Sequence, residues 1–261
     1  MTNIKYADPS YTDTNATDDD RVMLRTGAGG DARAPLVQPK GYIDGLKMVY
    51  VSATQIQITT GAAYVPGPKR IAELTAAITL TPTLAASTWY HLYLTVAGAT
   101  VGVEAVTTAP AAPYAGTARA KTGDTSRRYI GSFRTNASSQ VYDFDHNWQK
   151  GEVMYRLPGT LFRVLSNGSA TTATTVACAT AIPVTSKSVY GRVLNLSTSA
   201  NLIVGPGDAA ITTNDYFLGV SFGGQAVVAF LPTDSSQQLR YLMSAAQSGA
   251  YIDAYGFAYE R

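Results

Sequence analysis

The chain has 261 residues, 46% of them hydrophobic and 15% charged, enough apolar material for sizeable cores and too little charge for a disordered chain. Its 20 basic and 18 acidic side chains leave a net charge of +2, which gives no electrostatic footprint for nucleic acid or a membrane surface. One cysteine, Cys178, and two histidines, His91 and His146, exclude an internal disulfide framework and most metal and triad chemistry.

The opening MTNIKYADPSYTDTN lacks the basic-then-apolar order of a signal peptide, and no later run approaches the ~18 apolar residues of a spanning helix. Residues 1–40 are polar. They hold Asp18, Asp19 and Asp20, a glycine cluster at 27–30, and prolines at 35 and 39. Val22 and Leu24 flank Met23 in the only strongly apolar run. Such a segment buries too little to fold alone and reads as an extended arm that orders against a partner. Gly27-Ala28-Gly29-Gly30-Asp31-Ala32 has the loose spacing of a dinucleotide-binding turn, but Pro35 and Pro39 block the helix that turn requires. No cofactor is expected.

Residues 41–150 read as a first β-sandwich domain. Ile56 and Ile58 alternate with Gln55 and Gln57, the pattern of a half-buried strand. Pro66-Gly67-Pro68 turns the chain. WYHLYLTV then places Tyr90, Leu92, Leu94 and Val96 on one face, and Trp89, His91, Tyr93 and Thr95 on the other. A Pro-rich loop follows VGVEAVTT, and RRYIGSF and VYDFD close the domain. Residues 151–160 lose the period, end on Pro158-Gly159 and read as a linker.

Residues 161–261 read as a second β-sandwich or jelly-roll-like domain. Asn167-Gly168 predicts a type I′ hairpin turn. Cys178, inside TTVACATAI, reads as a small buried hydrophobe. Residues 234–247 admit two readings. Asp234-x-x-Gln237 suits a helix capping box, while Tyr251, Tyr255, Phe257 and Tyr259 share the parity of a strand. The parity favours a closing hairpin over residues 239–259. The whole is all-β, and no internal repeat is visible.

Three constellations stand as candidate sites. Asp143 and Asp145 fall on one face of a strand, their side chains roughly 7 Å apart. That spacing suits the acid/base pair of a glycan-cleaving enzyme or, with His146, a hard metal site, although it reads first as a solvent face with Tyr142 and Phe144 inward. Arg119, Lys121, Arg127 and Arg128 form a basic cluster suited to an anion, a polysaccharide or a neighbouring subunit's Asp18–Asp20. Trp89, Tyr90, Tyr93 and Trp148 are aromatic enough for a sugar platform, though the same residues build cores. No nucleophile motif occurs and no enzymatic activity is expected.

Residues 109–133 read APAAPYAGTARAKTGDTSRRYIGSF, between YHLYLTV (90–96) and VYDFD (141–145). Together with GYIDGL (41–46), TGAAYVPG (60–67) and LAASTWYHLYL (84–94), this stretch resembles segments of tailed-bacteriophage virion proteins of the fibre and appendage type. The resemblance covers about the middle two fifths of the chain. It implies a homotrimeric structural protein of the virion, assembled in the bacterial cytoplasm. Its N-terminal arm would dock on another virion protein, and a distal domain would meet the host surface or its glycans. Residues 109–133 themselves are expected as a long basic connection held by a partner.

Overall fold

The computed structural model describes residues 21–25, 31–35, 38–156 and 162–261. The chain is all-β and β-sandwich-like, and every ladder between described strands is antiparallel. β1 (Arg21–Arg25) and β2 (Asp31–Pro35) pair as a ribbon, with Val22 opposite Ala34 and Leu24 opposite Ala32. Asp18, Asp19, Asp20 and the glycine cluster at 27–30 lie outside the described residues.

Six short strands follow: β3 (Ile43–Gly45), β4 (Met48–Ser52), β5 (Gln55–Ile58), β6 (Gly61–Val65), β7 (Arg70–Leu74) and β8 (Ile78–Leu80). They form two sheets, of order β3-β6-β7 and β4-β5-β8. Next come β9 (Trp89–Ala97), β10 (Thr100–Val106), β11 (Pro110–Ala115), β12 (Ala118–Lys121) and β13 (Asp124–Arg134), in a sheet of order β10-β9-β13-β12-β11.

The remaining strands are β14 (Phe144–Asn147), β15 (Glu152–Tyr155), β16 (Phe162–Gly168), β17 (Thr174–Ala177), β18 (Ser186–Asn195), β19 (Leu202–Pro206), β20 (Leu218–Val220), β21 (Gln225–Pro232), β22 (Gln238–Met243) and β23 (Ala250–Tyr259). One sheet runs β14-β15-β23-β18-β21, with β16 also on β23, and the other runs β17-β22-β19-β20.

The boundary near residue 150 falls inside a sheet. β14, from the first predicted domain, and β15, from the predicted linker, both join the sheet built on β23. Val153 is buried and opposes Phe257, so residues 152–155 contribute to the core. A single apolar cluster runs from Leu46 through Tyr129 and Val153 to Tyr259.

Residues 109–133 are not a long connection. They fold into β11, β12 and β13 joined by tight turns, where Gly116 and Gly123 take the left-handed φ of 57° and 80° that favours glycine. Pro110 and Pro113 sit on β11, the sheet's edge, where a missing N–H costs no ladder bond.

The Asn167-Gly168 hairpin does not form. Asn167 has φ 53°, but Gly168 stays in β16 opposite Ala250, and β16 and β17 belong to different sheets. Packing against Tyr241, rather than turn geometry, demands this glycine, because a Cβ would sit 2.7 Å from the tyrosine ring. Residues 238–243 are strand, as the parity favours. The closing hairpin is absent, because β22 pairs with β17 and β19 while β23 pairs with β15, β16 and β18.

A bulge at Tyr255 divides β23. Ala254 opposes Gly191 and Gly256 opposes Tyr190, leaving Tyr255 without a partner. Ile252 faces inward beside Val193 before the bulge, and Phe257 faces inward beside Val189 after it. The extra residue swaps which parity points to the core. Tyr251 therefore parts company with Phe257 and Tyr259.

Candidate functional site

The four basic residues do not make one exposed patch. On a strand, adjacent residues face opposite sides, so Arg127 and Arg128 cannot both point outward. Arg128 is fully buried, and its Nη1 donates to the carbonyl of Tyr129 at 2.8 Å. Its guanidinium lies 5.8 Å from the Tyr114 ring centre, and burial pushes its pKa down. Lys121 Nζ is 2.9 Å and Arg127 Nε 3.3 Å from Glu104 Oε1 on β10. Arg119 is 3.3 Å from Glu260 and also donates to the Ala111 carbonyl. Internal partners thus occupy charges expected to face a neighbouring chain.

Asp143 and Asp145 converge on Arg156. The guanidinium pairs with both Asp145 oxygens and lies 3.7 Å from Asp143. Hydrogen bonding to Arg156 holds the Asp145 carboxyl below its usual range, the opposite of what a general acid needs. His146 takes no part, since it shares the inward parity of Phe144 and is buried on the other face. The acid/base and metal readings of this pair therefore lose their geometry, and no group of metal-ligating side chains occurs among the described residues.

The aromatic residues separate as well. Trp89 donates from Nε1 to the Ala179 carbonyl and packs edge-on against Phe257. Tyr93 is fully buried with its hydroxyl on the Thr108 carbonyl. Trp148 lies under Arg261, whose guanidinium is 5.8 Å from an indole ring centre. No shared platform results.

Sequence reasoning missed a buried polar network where the sheets meet. The Tyr129 hydroxyl lies 2.8 Å from both Ser132 Oγ and Thr185 Oγ1, and Ser132 Oγ lies 2.8 Å from His91 Nδ1. Met48, His146, Tyr259 and Ile130 form a second chain of hydrogen bonds. Burial pushes the Tyr129 hydroxyl up to about 12 and His91 down to about 4. The alternation Phe144-x-His146 was the available signal for one member.

An uncommitted surface lies on the outer face of β18 and β21. Register pairs share a face, so Tyr190 joins Phe230, Arg192 joins Val228 and Leu194 joins Ala226. The Tyr190 and Phe230 rings are 4.8 Å apart, with Tyr255 beyond at 6.5 Å from Tyr190. Phe230 is 37% and Val228 48% exposed, while Val189, Val193 and Leu231 on the opposite face are fully buried. β21 ends the sheet and contains no charged residue from Gln225 to Pro232. On the same face, Arg163 and Arg192 both pair with Asp253, itself fully buried.

No protein-family model matches the sequence, and no curated protein matches it. The fold and this surface define a β-rich chain whose outer sheet face carries exposed aromatic and apolar side chains beside the Arg163–Asp253–Arg192 ion pairs.

Proposed function

We propose that the chain is a structural subunit of a tailed-phage virion, a fibre or appendage protein assembling as a homotrimer. Residues 1–40 are its docking arm for a tail, baseplate or capsid protein. The β-rich body, of sandwich and jelly-roll type, builds the appendage and contacts the host surface. The role is mechanical and adhesive, without catalysis.

One observation supports assembly most directly. β21 is an edge strand of eight residues with no charge along it, beside the exposed Phe230 and Val228. Edge strands on solitary proteins are blunted with charges, prolines or bulges, because an unpaired row of N–H and C=O groups invites another chain. β11 carries that protection in Pro110 and Pro113, whereas β21 has only Pro232 at its end. A partner subunit that pairs along the β21 edge and packs over the adjoining β18–β21 face removes the liability.

Size-exclusion chromatography with light scattering tests the assembly at micromolar concentration. The expected mass is three times the 27.6-kDa chain, and Phe230→Lys lowers it to one. A dispersed wild-type monomer overturns the trimer. Immunogold electron microscopy of phage particles tests the location, and particles without label overturn the virion assignment.

A further inference from the structure

We infer that the subunits join head to tail: the flank formed by β20 and β21 of one copy docks on the flank formed by β16 and β17 of the next. This rests on the homotrimeric reading and assigns the two surfaces that close the ring.

The first flank is one continuous stretch of chain. Residues 216–232 run through β20 and β21, which are edge strands of two different sheets and lie against each other. The stretch contains no charged residue. It holds five of the nine large apolar side chains exposed among the described residues: Tyr216, Phe217, Phe222, Val228 and Phe230. So much exposed apolar surface along unpaired edges marks an interaction surface.

The second flank lies on the opposite side of the same two sheets. β17 is the other edge of its sheet, and β16 lies beyond β23 with no further ladder partner among the described residues. Residues 169–173 join the two strands, and residues 164–186 carry no charge. Ser166, Thr174 and Thr175 are exposed there. Neither flank therefore has the charged side chains that blunt a free edge. β16 bulges beyond Arg163, so side-chain packing carries that half of the junction, while the regular β17 offers a ladder.

Symmetry demands two different patches. A patch that meets its own copy makes an isologous contact, which closes at two chains, whereas a ring of three needs a heterologous one. Strand direction supplies the match. Three antiparallel steps lead from β16 through β23 and β18 to β21, and three lead from β17 through β22 and β19 to β20. The two edges of each sheet thus run in opposite directions. Rotation about an axis along the strands preserves those directions. β21 then meets the next copy's β16, and β20 its β17, antiparallel like the ladders within the chain.

Thiol cross-linking of the full chain tests the junction, with Ser166→Cys and Val228→Cys together and singly, both positions being exposed. Within one chain the two sites are about 14 Å apart, three strand spacings, and the bismaleimide used is shorter than that. Cys178 is buried and takes no part. The double variant is expected to give a covalent trimer on a denaturing gel, and each single variant a monomer. Ala177→Cys with Phe217→Cys, on the β17 and β20 side, serves if the first pair fails to melt cooperatively. A covalent dimer from Val228→Cys alone puts the apolar flank on its own copy and overturns the inference. A double variant that stays uncross-linked while light scattering gives a trimer overturns it too, and leaves the trimer standing on other contacts. A monomeric wild type overturns both.

Discussion

The Tyr259 hydroxyl lies 2.9 Å from Nε2 of His146, and this contact fixes the state of both side chains. The Met48 amide donates to His146 Nδ1 at 2.9 Å, so that nitrogen must be the acceptor. The neutral ring therefore carries its proton on Nε2 and donates to Tyr259, which donates in turn to the Ile130 carbonyl at 3.2 Å. A second ring proton would confront the Met48 N–H. Burial, with Arg261 and Lys47 nearby, pushes His146 down to about 3.

Acid should therefore destabilise the chain through its histidines. Both titrate lower when folded than when unfolded, His91 at about 4 and His146 at about 3. Below about pH 6.5 the unfolded chain takes up protons that the folded chain refuses, so stability falls as pH drops. Near pH 5 the slope approaches about 1.4 kcal/mol per pH unit for each histidine, and the His91 share fades as pH falls through about 4. Urea unfolding at stepped pH should show a shallower acid limb for His146→Gln; an unchanged limb removes His146 from the account.

Asp253→Asn should cost about 2–4 kcal/mol, since it strips a buried carboxylate from Arg163 and Arg192. The lower part of that range applies because both guanidiniums keep about 30% exposure to water. Asp145→Asn, at an exposed pair with Arg156, should leave the melting temperature unchanged. Equal losses in the two variants would contradict this ranking.

Gly168→Ala should destabilise by about 1–3 kcal/mol through overpacking against Tyr241. Tyr241→Leu in the same background should recover part of that loss by removing the ring's outer edge. An additive double variant would show that Gly168 and Tyr241 are not coupled.

Cys178 should resist thiol reagents in the folded protein. It is fully buried, and burial pushes its thiol up to about 12, leaving almost no thiolate at neutral pH. Labelling with a disulfide reagent should proceed only in denaturant. Rapid labelling of the native chain would place the thiol at the surface instead.

Local patterns were legible wherever side-chain alternation met a single buried face. Ile56 and Ile58 are buried and Gln55 and Gln57 are not, as their spacing predicts. The all-β class follows from the same signals. Ladder partners were not legible, because β15 meets β23 across about a hundred residues and no local pattern encodes that choice. Bulges were hidden too, so the shared parity of Tyr251 and Phe257 misled. The Arg127-Arg128 pair looked like surface, although strand geometry requires one of two neighbours to turn inward. Prolines and glycines at 109–133 suggested a loop, where they mark turns and a sheet edge.

The position of β23 has a consequence for biosynthesis. It pairs with β15, β16 and β18, all made before it. Until Ala250–Tyr259 has left the ribosome, those strands lack a shared neighbour, and the sheet to which β14, β15 and β21 belong has no centre. Long-range closure of this kind is slow and leaves strand edges open to wrong partners. The sheet is therefore expected to close only after β23 has emerged. Premature termination before residue 250 would yield an aggregating fragment rather than a shorter functional protein.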